Sequence, residues 1–194
     1  WRWVAALGIF SLCKQLWKQQ TPAWLVALIF LTYPGFSQQY IGTVYGHFFL
    51  VISAFFFSLT LSLNAIKTDK RKQFWFFTLS ALILSAINLF SMEYFFMLEL
   101  IRPLLFWMVK NDKETTLRNQ IKPILKLWLP YLLLFLAAGF WRAFLFEHQT
   151  QNYEAGLVDL FRTNPFQAIL TGMGLVVKDL WQTVFGVWQL LVQF

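Results

Sequence analysis

Long apolar stretches alternate with short polar breaks along this chain, and the lengths of the stretches limit what they can form. The first runs from Trp1 to Cys13 and gives way to a basic, glutamine-rich break at 14–20. The second, from Pro22 to about Phe36, is interrupted at Tyr33-Pro34-Gly35, where proline and glycine end or bend a helix. A polar patch at 37–40 leads into a run from Thr43 to Ile66, long enough to cross a bilayer with some tilt. Residues 67–73 stop it. The next run goes from Phe74 to Met92 and turns at Glu93-Tyr94. A shorter stretch from Phe95 to Val109, a polar loop at 110–126 and a run from Leu127 to Phe146 follow.

Hydrocarbon about 30 Å thick needs about 20 helical residues at about 1.5 Å each. The expected fold class is therefore all-α: a polytopic helical transmembrane bundle of about six membrane segments, occupying residues 1–156, with an amphipathic C-terminal helix in residues 157–194. In that last part Asn164-Pro165 reads as a helix start, with Asn as the cap and Pro at the first helical position. Phe166, Ile169, Leu170, Met173, Val177 and Leu180 then recur at helical spacing. Such a helix either lies in the membrane interface or begins a further span. Trp1 stands where a full chain would have Met, the first run is too short to span, and the last residues are apolar. Both ends are expected to be cut from a longer protein.

Charge gives the runs a direction. Loop 14–20 holds two Lys or Arg, loop 67–73 four and loop 110–126 five, while loops 37–42, 93–94 and 147–156 hold none. Cytoplasmic loops carry the excess of basic residues, so the three basic loops are expected on the cytoplasmic side and the others outside.

Composition agrees. Apolar residues make up 58% of the 194, and Asp, Glu, Lys and Arg only 13%, about half the charge of a soluble domain. The net charge of +7 sits in the loops and is explained by orientation, without nucleic acid as a partner. A single cysteine, Cys13, excludes an intrachain disulfide, and no Cys/His pair has metal-ligand spacing. No metal is indicated, and the sequence leaves any cofactor unknown.

Polar residues inside the apolar runs are the candidates for function, because a charge at mid-membrane costs at least about 2.5 kcal/mol. Glu99 and Arg102 stand three apart, on one helical face at contact distance. They are either a neutralised pair that stabilises the bundle or a site where Arg102 binds a phosphate or pyrophosphate through two parallel hydrogen bonds. Gln38, Gln39 and Tyr40 follow the Tyr-Pro-Gly break, His47 enters the next run two turns on, and Glu93 sits at the outer turn. Counted along the chain, all seven fall in the outer half of the membrane or beyond it. Any function is therefore expected to face outward.

The run from Ala23 to Pro34, followed by a polar outer patch and a long span ending in basic residues, resembles the middle helices of the GT-C superfamily of polytopic glycosyltransferases. The segment from Leu79 to Trp107, with Glu93 at its turn, looks like the helix pair that many of those enzymes carry there. The resemblance covers about residues 20–110. It implies transfer of a sugar from a polyprenyl-phosphate carrier in the membrane lipid to an acceptor on the extracytoplasmic face, with Glu93 and Arg102 in supporting roles. That family's acidic catalytic motif lies upstream of this region, so no catalytic residue carries over. The alternatives are a small-solute transporter, which would place ionisable residues on broken helices near the midplane, and a non-catalytic membrane protein.

Overall fold

The computed structural model describes residues 1–17, 19–36, 42–92, 94–110, 117–145 and 163–191. Among them every regular element is helical: α1 (Arg2–Leu16), α2 (Thr21–Thr32), α3 (Gly42–Lys67), α4 (Arg71–Ser91), α5 (Arg102–Lys110), α6 (Leu117–Phe140) and α7 (Pro165–Val184). Short 3-10 segments lie at Pro34–Phe36, Phe96–Ile101 and Gly186–Leu191. The chain divides into two compact units, one of residues 1–32 and 38–146, the other of residues 33–37 and 147–194.

In the larger unit successive segments reverse direction. The Arg2 guanidinium donates to the Phe30 carbonyl at 3.2 Å and Phe10 stacks on Trp24 at 4.4 Å, which makes α1 and α2 antiparallel. Gly8 lies against Phe56 while Gln15 meets Lys67, so α1 and α3 run parallel. A Cβ on Gly8 would stand 3.0 Å from that of Phe56. Glycine, with the buried Ala5 beside it, lets the two backbones approach as small residues do between membrane helices.

The basic residues gather at one end. Lys67, at the end of α3, donates to the carbonyl and side-chain oxygens of Gln15 at 2.7 and 2.8 Å, bringing it beside the Lys14 turn of α1. Lys110 of α5 and Lys126 of α6 line one cavity with Ile66 and Phe74, the neighbours of the α3–α4 turn. Described residues from each of the three basic loops therefore meet at the same end. Aromatic pairs hold the other: Phe48 with Phe95 at 4.8 Å, Phe96 with Phe135 at 4.4 Å and Phe90 with Trp141 at 5.3 Å.

Three helical stretches are long and apolar enough to cross a membrane: Tyr45–Lys67, Arg71–Ser91 and Ile121–Leu145. By length and composition they mark a membrane protein. The expectation of about six spans is met only to that extent, because α1, with 15 residues, reaches about 22 Å, and α2 and α5 are shorter still.

The helix α3 is the centre of the unit. Leu12, Phe55, Leu59, Leu63, Ala81, Leu105, Phe106, Ile124 and Tyr131 form a core to which α1, α3, α4, α5 and α6 all contribute. Three hydroxyls of α3 are satisfied within the helix itself. Ser53 donates to the Phe49 carbonyl, Thr60 to Phe56 at 3.0 Å and Ser62 to Leu59 at 2.8 Å. The helix α6 starts ten residues before the expected Leu127, at Leu117. Helical spacing continues upstream through Ile121 and Ile124, and the buried Ile124 draws that turn onto the core. Five further residues, Trp141–Leu145, continue α6 as a π-helical turn.

In the smaller unit, the side-chain oxygen of Asn164 accepts from the Gln167 N–H at 3.3 Å and Pro165 opens the helix, the start that the sequence indicates. The Tyr33 hydroxyl donates to the Thr183 carbonyl at 2.8 Å, and Trp188 packs edge-on against the Tyr33 ring at 6.2 Å. Ala168 is the buried residue of α7, and Phe166, Met173, Val177 and Trp181 are each more than 60% exposed. The helix is not among the three apolar enough to cross a membrane.

Candidate functional site: a sealed polar cluster

The Glu99–Arg102 pair forms as the three-residue spacing requires. The Glu99 carboxylate accepts from Arg102 Nε through one oxygen and from Nη2 at 3.0 Å through the other, a bidentate arrangement. Both residues have no solvent exposure. Each helix packed around the pair adds a partner. From α3, the Ser58 hydroxyl accepts from Arg102 Nη2 at 2.9 Å and the Ser58 carbonyl from Nη1 at 3.4 Å. From α4, Ser85 donates to the second Glu99 oxygen at 3.2 Å. From α6, the Tyr131 ring lies 4.0 Å from the guanidinium carbon, within cation–π range. The Ser58 hydroxyl in turn donates to the Ala81 carbonyl of α4 at 2.6 Å.

Along α4 the cluster reaches from Ala81, ten residues from either end of the helix (81 − 71 = 10; 91 − 81 = 10), to Ser85, six residues from Ser91 (91 − 85 = 6). It therefore lies between the middle of α4 and the end away from the basic residues, and Glu99 reaches it from the 3-10 segment Phe96–Ile101.

The other sequence candidates do not join them. His47 is exposed on α3, eleven residues before Ser58 (58 − 47 = 11), about 16 Å along the helix. Gln38, Gln39, Tyr40 and Glu93 lie outside the described residues. Among the described residues no three His, Cys, Asp or Glu side chains gather as metal ligands.

Four residues at the cluster or its edge were not singled out from sequence: Ser58, Ser85, Tyr131 and Asn88. Asn88 follows Ser85 by three residues on α4, is fully buried, and its amide has no hydrogen-bond partner among the described residues. A signal for three of them was present. Ser58, Ser85 and Asn88 are polar residues inside otherwise apolar runs, and Ser85 and Asn88 have the spacing of Glu99 and Arg102.

Beyond Tyr131 a cavity of about 380 Å³ opens towards the basic end. Its walls are apolar, with Ile66, Phe74, Trp75, Phe106 and Leu127, and α6 lines it with Pro123 and Pro130. Each of these prolines withholds an N–H from the helix ladder, the usual origin of a bend in a membrane helix. Lys110 and Lys126 stand on the cavity wall, both exposed and, among the described residues, without a carboxylate partner.

Against known protein families, curated proteins and solved structures the chain shows no match.

Proposed function

We propose that this chain is the membrane-embedded core of a non-catalytic, multi-pass protein, with its basic loops in the cytoplasm, and that the Glu99–Arg102 cluster is the lock that holds α3, α4, α5 and α6 together. One observation carries this reading: the arginine is closed on every side. The carboxylate, Ser58 and the Tyr131 ring occupy its edges and face, with no exposure left for a ligand. A phosphate could bind there only by displacing Glu99, which would leave a carboxylate buried without its partner, at several kcal/mol.

Transfer of a sugar from a polyprenyl-phosphate carrier, and passage of a small solute, are the competing readings. Both need a polar group that a substrate can reach at membrane depth, and Glu99 and Arg102 do not offer one. The gathering of Lys14, Lys67, Lys110 and Lys126 at one end supports the proposed orientation through the positive-inside rule. The exposed apolar side chains of α7 suit a helix lying in the membrane interface.

Single cysteines introduced at Lys70 and Tyr94 test the topology. Impermeant maleimide should reach Lys70→Cys only from the cytoplasmic side and Tyr94→Cys only from outside. Labelling of both from one side would overturn the arrangement. For the lock, Arg102→Leu and Glu99→Gln should each lower the melting temperature in detergent, and the double variant should recover much of the loss. A double variant as unstable as the sum of the two singles would remove it.

A further inference from the structure

The cavity between the cytoplasm-facing halves of α3, α4, α5 and α6 has the two features of an amphiphile site: an apolar interior and, on its wall, two cations that have no carboxylate partner among the described residues. We propose that it binds an anionic phospholipid from the basic-end leaflet, one acyl chain within the cavity and the phosphate against Lys110 and Lys126. This rests on the membrane reading above but not on the lock.

The position of each wall residue argues for this occupant. Lys126 is five residues inside Ile121, where the α6 span begins, about 7 Å along the helix. That is the depth from which a lysine side chain reaches back to headgroup level. Lys110 ends α5 on the facing wall. Trp75, 58% exposed on α4, belongs to the residue type that sits at that level. On the same wall Ile66, Phe74, Phe106 and Leu127 present only carbon, and Ser62 and Thr78 are the uncharged polar side chains besides Tyr131. A free anion gains nothing from such an interior, and an uncharged lipid gains nothing from the two lysines. An anionic lipid meets both, as headgroups do in basic pockets between membrane helices. The volume, about 380 Å³, falls within the range of small-molecule sites, about 300–1,000 Å³.

Native mass spectrometry of the purified protein in detergent, with added phosphatidylglycerol or phosphatidylcholine, tests this. Phosphatidylglycerol should be retained with a preference on the order of 10-fold or more. The variant Lys110→Gln/Lys126→Gln should lose that preference. Lys110→Arg/Lys126→Arg should keep it, and so should Lys14→Gln/Lys72→Gln, which removes equal charge at the same end. Glycerophosphate, the headgroup without chains, should not compete. A preference unchanged in Lys110→Gln/Lys126→Gln, or lost equally in Lys14→Gln/Lys72→Gln, would overturn the site. Competition by glycerophosphate would reduce it to an anion site and overturn the acyl-chain half. Because the two lysines are exposed, their replacement leaves the fold intact. A failed membrane reading would appear separately, as a protein released from membranes without detergent.

Discussion

Helices α3 and α6 read alike in sequence, each a long apolar run able to cross a membrane, yet 61% of the apolar stretch of α3 is buried within the protein and only 17% of that of α6. What separates them is the polar minority. The α3 span carries Ser53, Ser58, Thr60, Ser62 and Asn64, whereas residues 121–145 of α6 contain no Ser, Thr or Asn and interrupt their apolar run with Lys122, Lys126, Pro123 and Pro130. Hydroxyls are tolerable where a neighbouring helix or the preceding turn accepts their protons. Prolines are tolerable on the periphery, where bending opens a cavity instead of breaking a core. The same contrast divides the chemistry. Around α3 the charges are closed on themselves, while Lys122 and Lys126 of α6 have no carboxylate partner among the described residues.

The largest test of this contrast strikes the closed side. Arg102→Leu leaves Glu99 buried without its cation, and the protein should lose about 3–5 kcal/mol, seen as a lower melting temperature in detergent. Arg102→Leu/Glu99→Leu should regain most of that. A single variant as stable as the parent would mean that the cluster is not sealed.

Next in size, Gly8→Leu forces atoms into the 3.0 Å approach of α1 to Phe56. Overpacking of this kind should cost up to about 3 kcal/mol, whereas Gly8→Ala should cost less. If Gly8→Leu melts with the parent, α1 is not held against the buried helix.

Tyr131 joins the two regions, since its ring faces Arg102 and also lines the cavity. Tyr131→Leu should lower stability by about 2 kcal/mol through loss of the cation–π contact, and Tyr131→Phe, which keeps the ring face, should change it far less. Equal losses in thermal melts would assign the role to the hydroxyl instead.

The smallest effect belongs to the open side. Lys126→Gln should shift stability by no more than about 0.5 kcal/mol, as exposed substitutions do, while it weakens retention of phosphatidylglycerol. A large drop in melting temperature would show that this lysine has a structural partner.

Much of this was legible in the chain itself. Run length and hydropathy mark the apolar helices, read as about six membrane segments, of which three are long and apolar enough to cross, because the thickness of hydrocarbon sets how many apolar residues a crossing needs. The alternation of Lys and Arg anticipates the end at which Lys14, Lys67, Lys110 and Lys126 gather. The three-residue spacing of Glu99 and Arg102 places them in contact, and Asn164-Pro165 marks the start of α7, since both depend on neighbours a turn away. Only the tertiary structure decided the rest. Glu99 stands in a 3-10 segment, a choice that no residue between Phe96 and Ile101 announces. Ser58, Ser85 and Tyr131 complete the cluster from 44, 17 and 29 positions away from Arg102 (102 − 58, 102 − 85, 131 − 102). Such partners are set by how the helices pack, and the periodicity of each helix records which face is apolar but not which neighbour that face will meet.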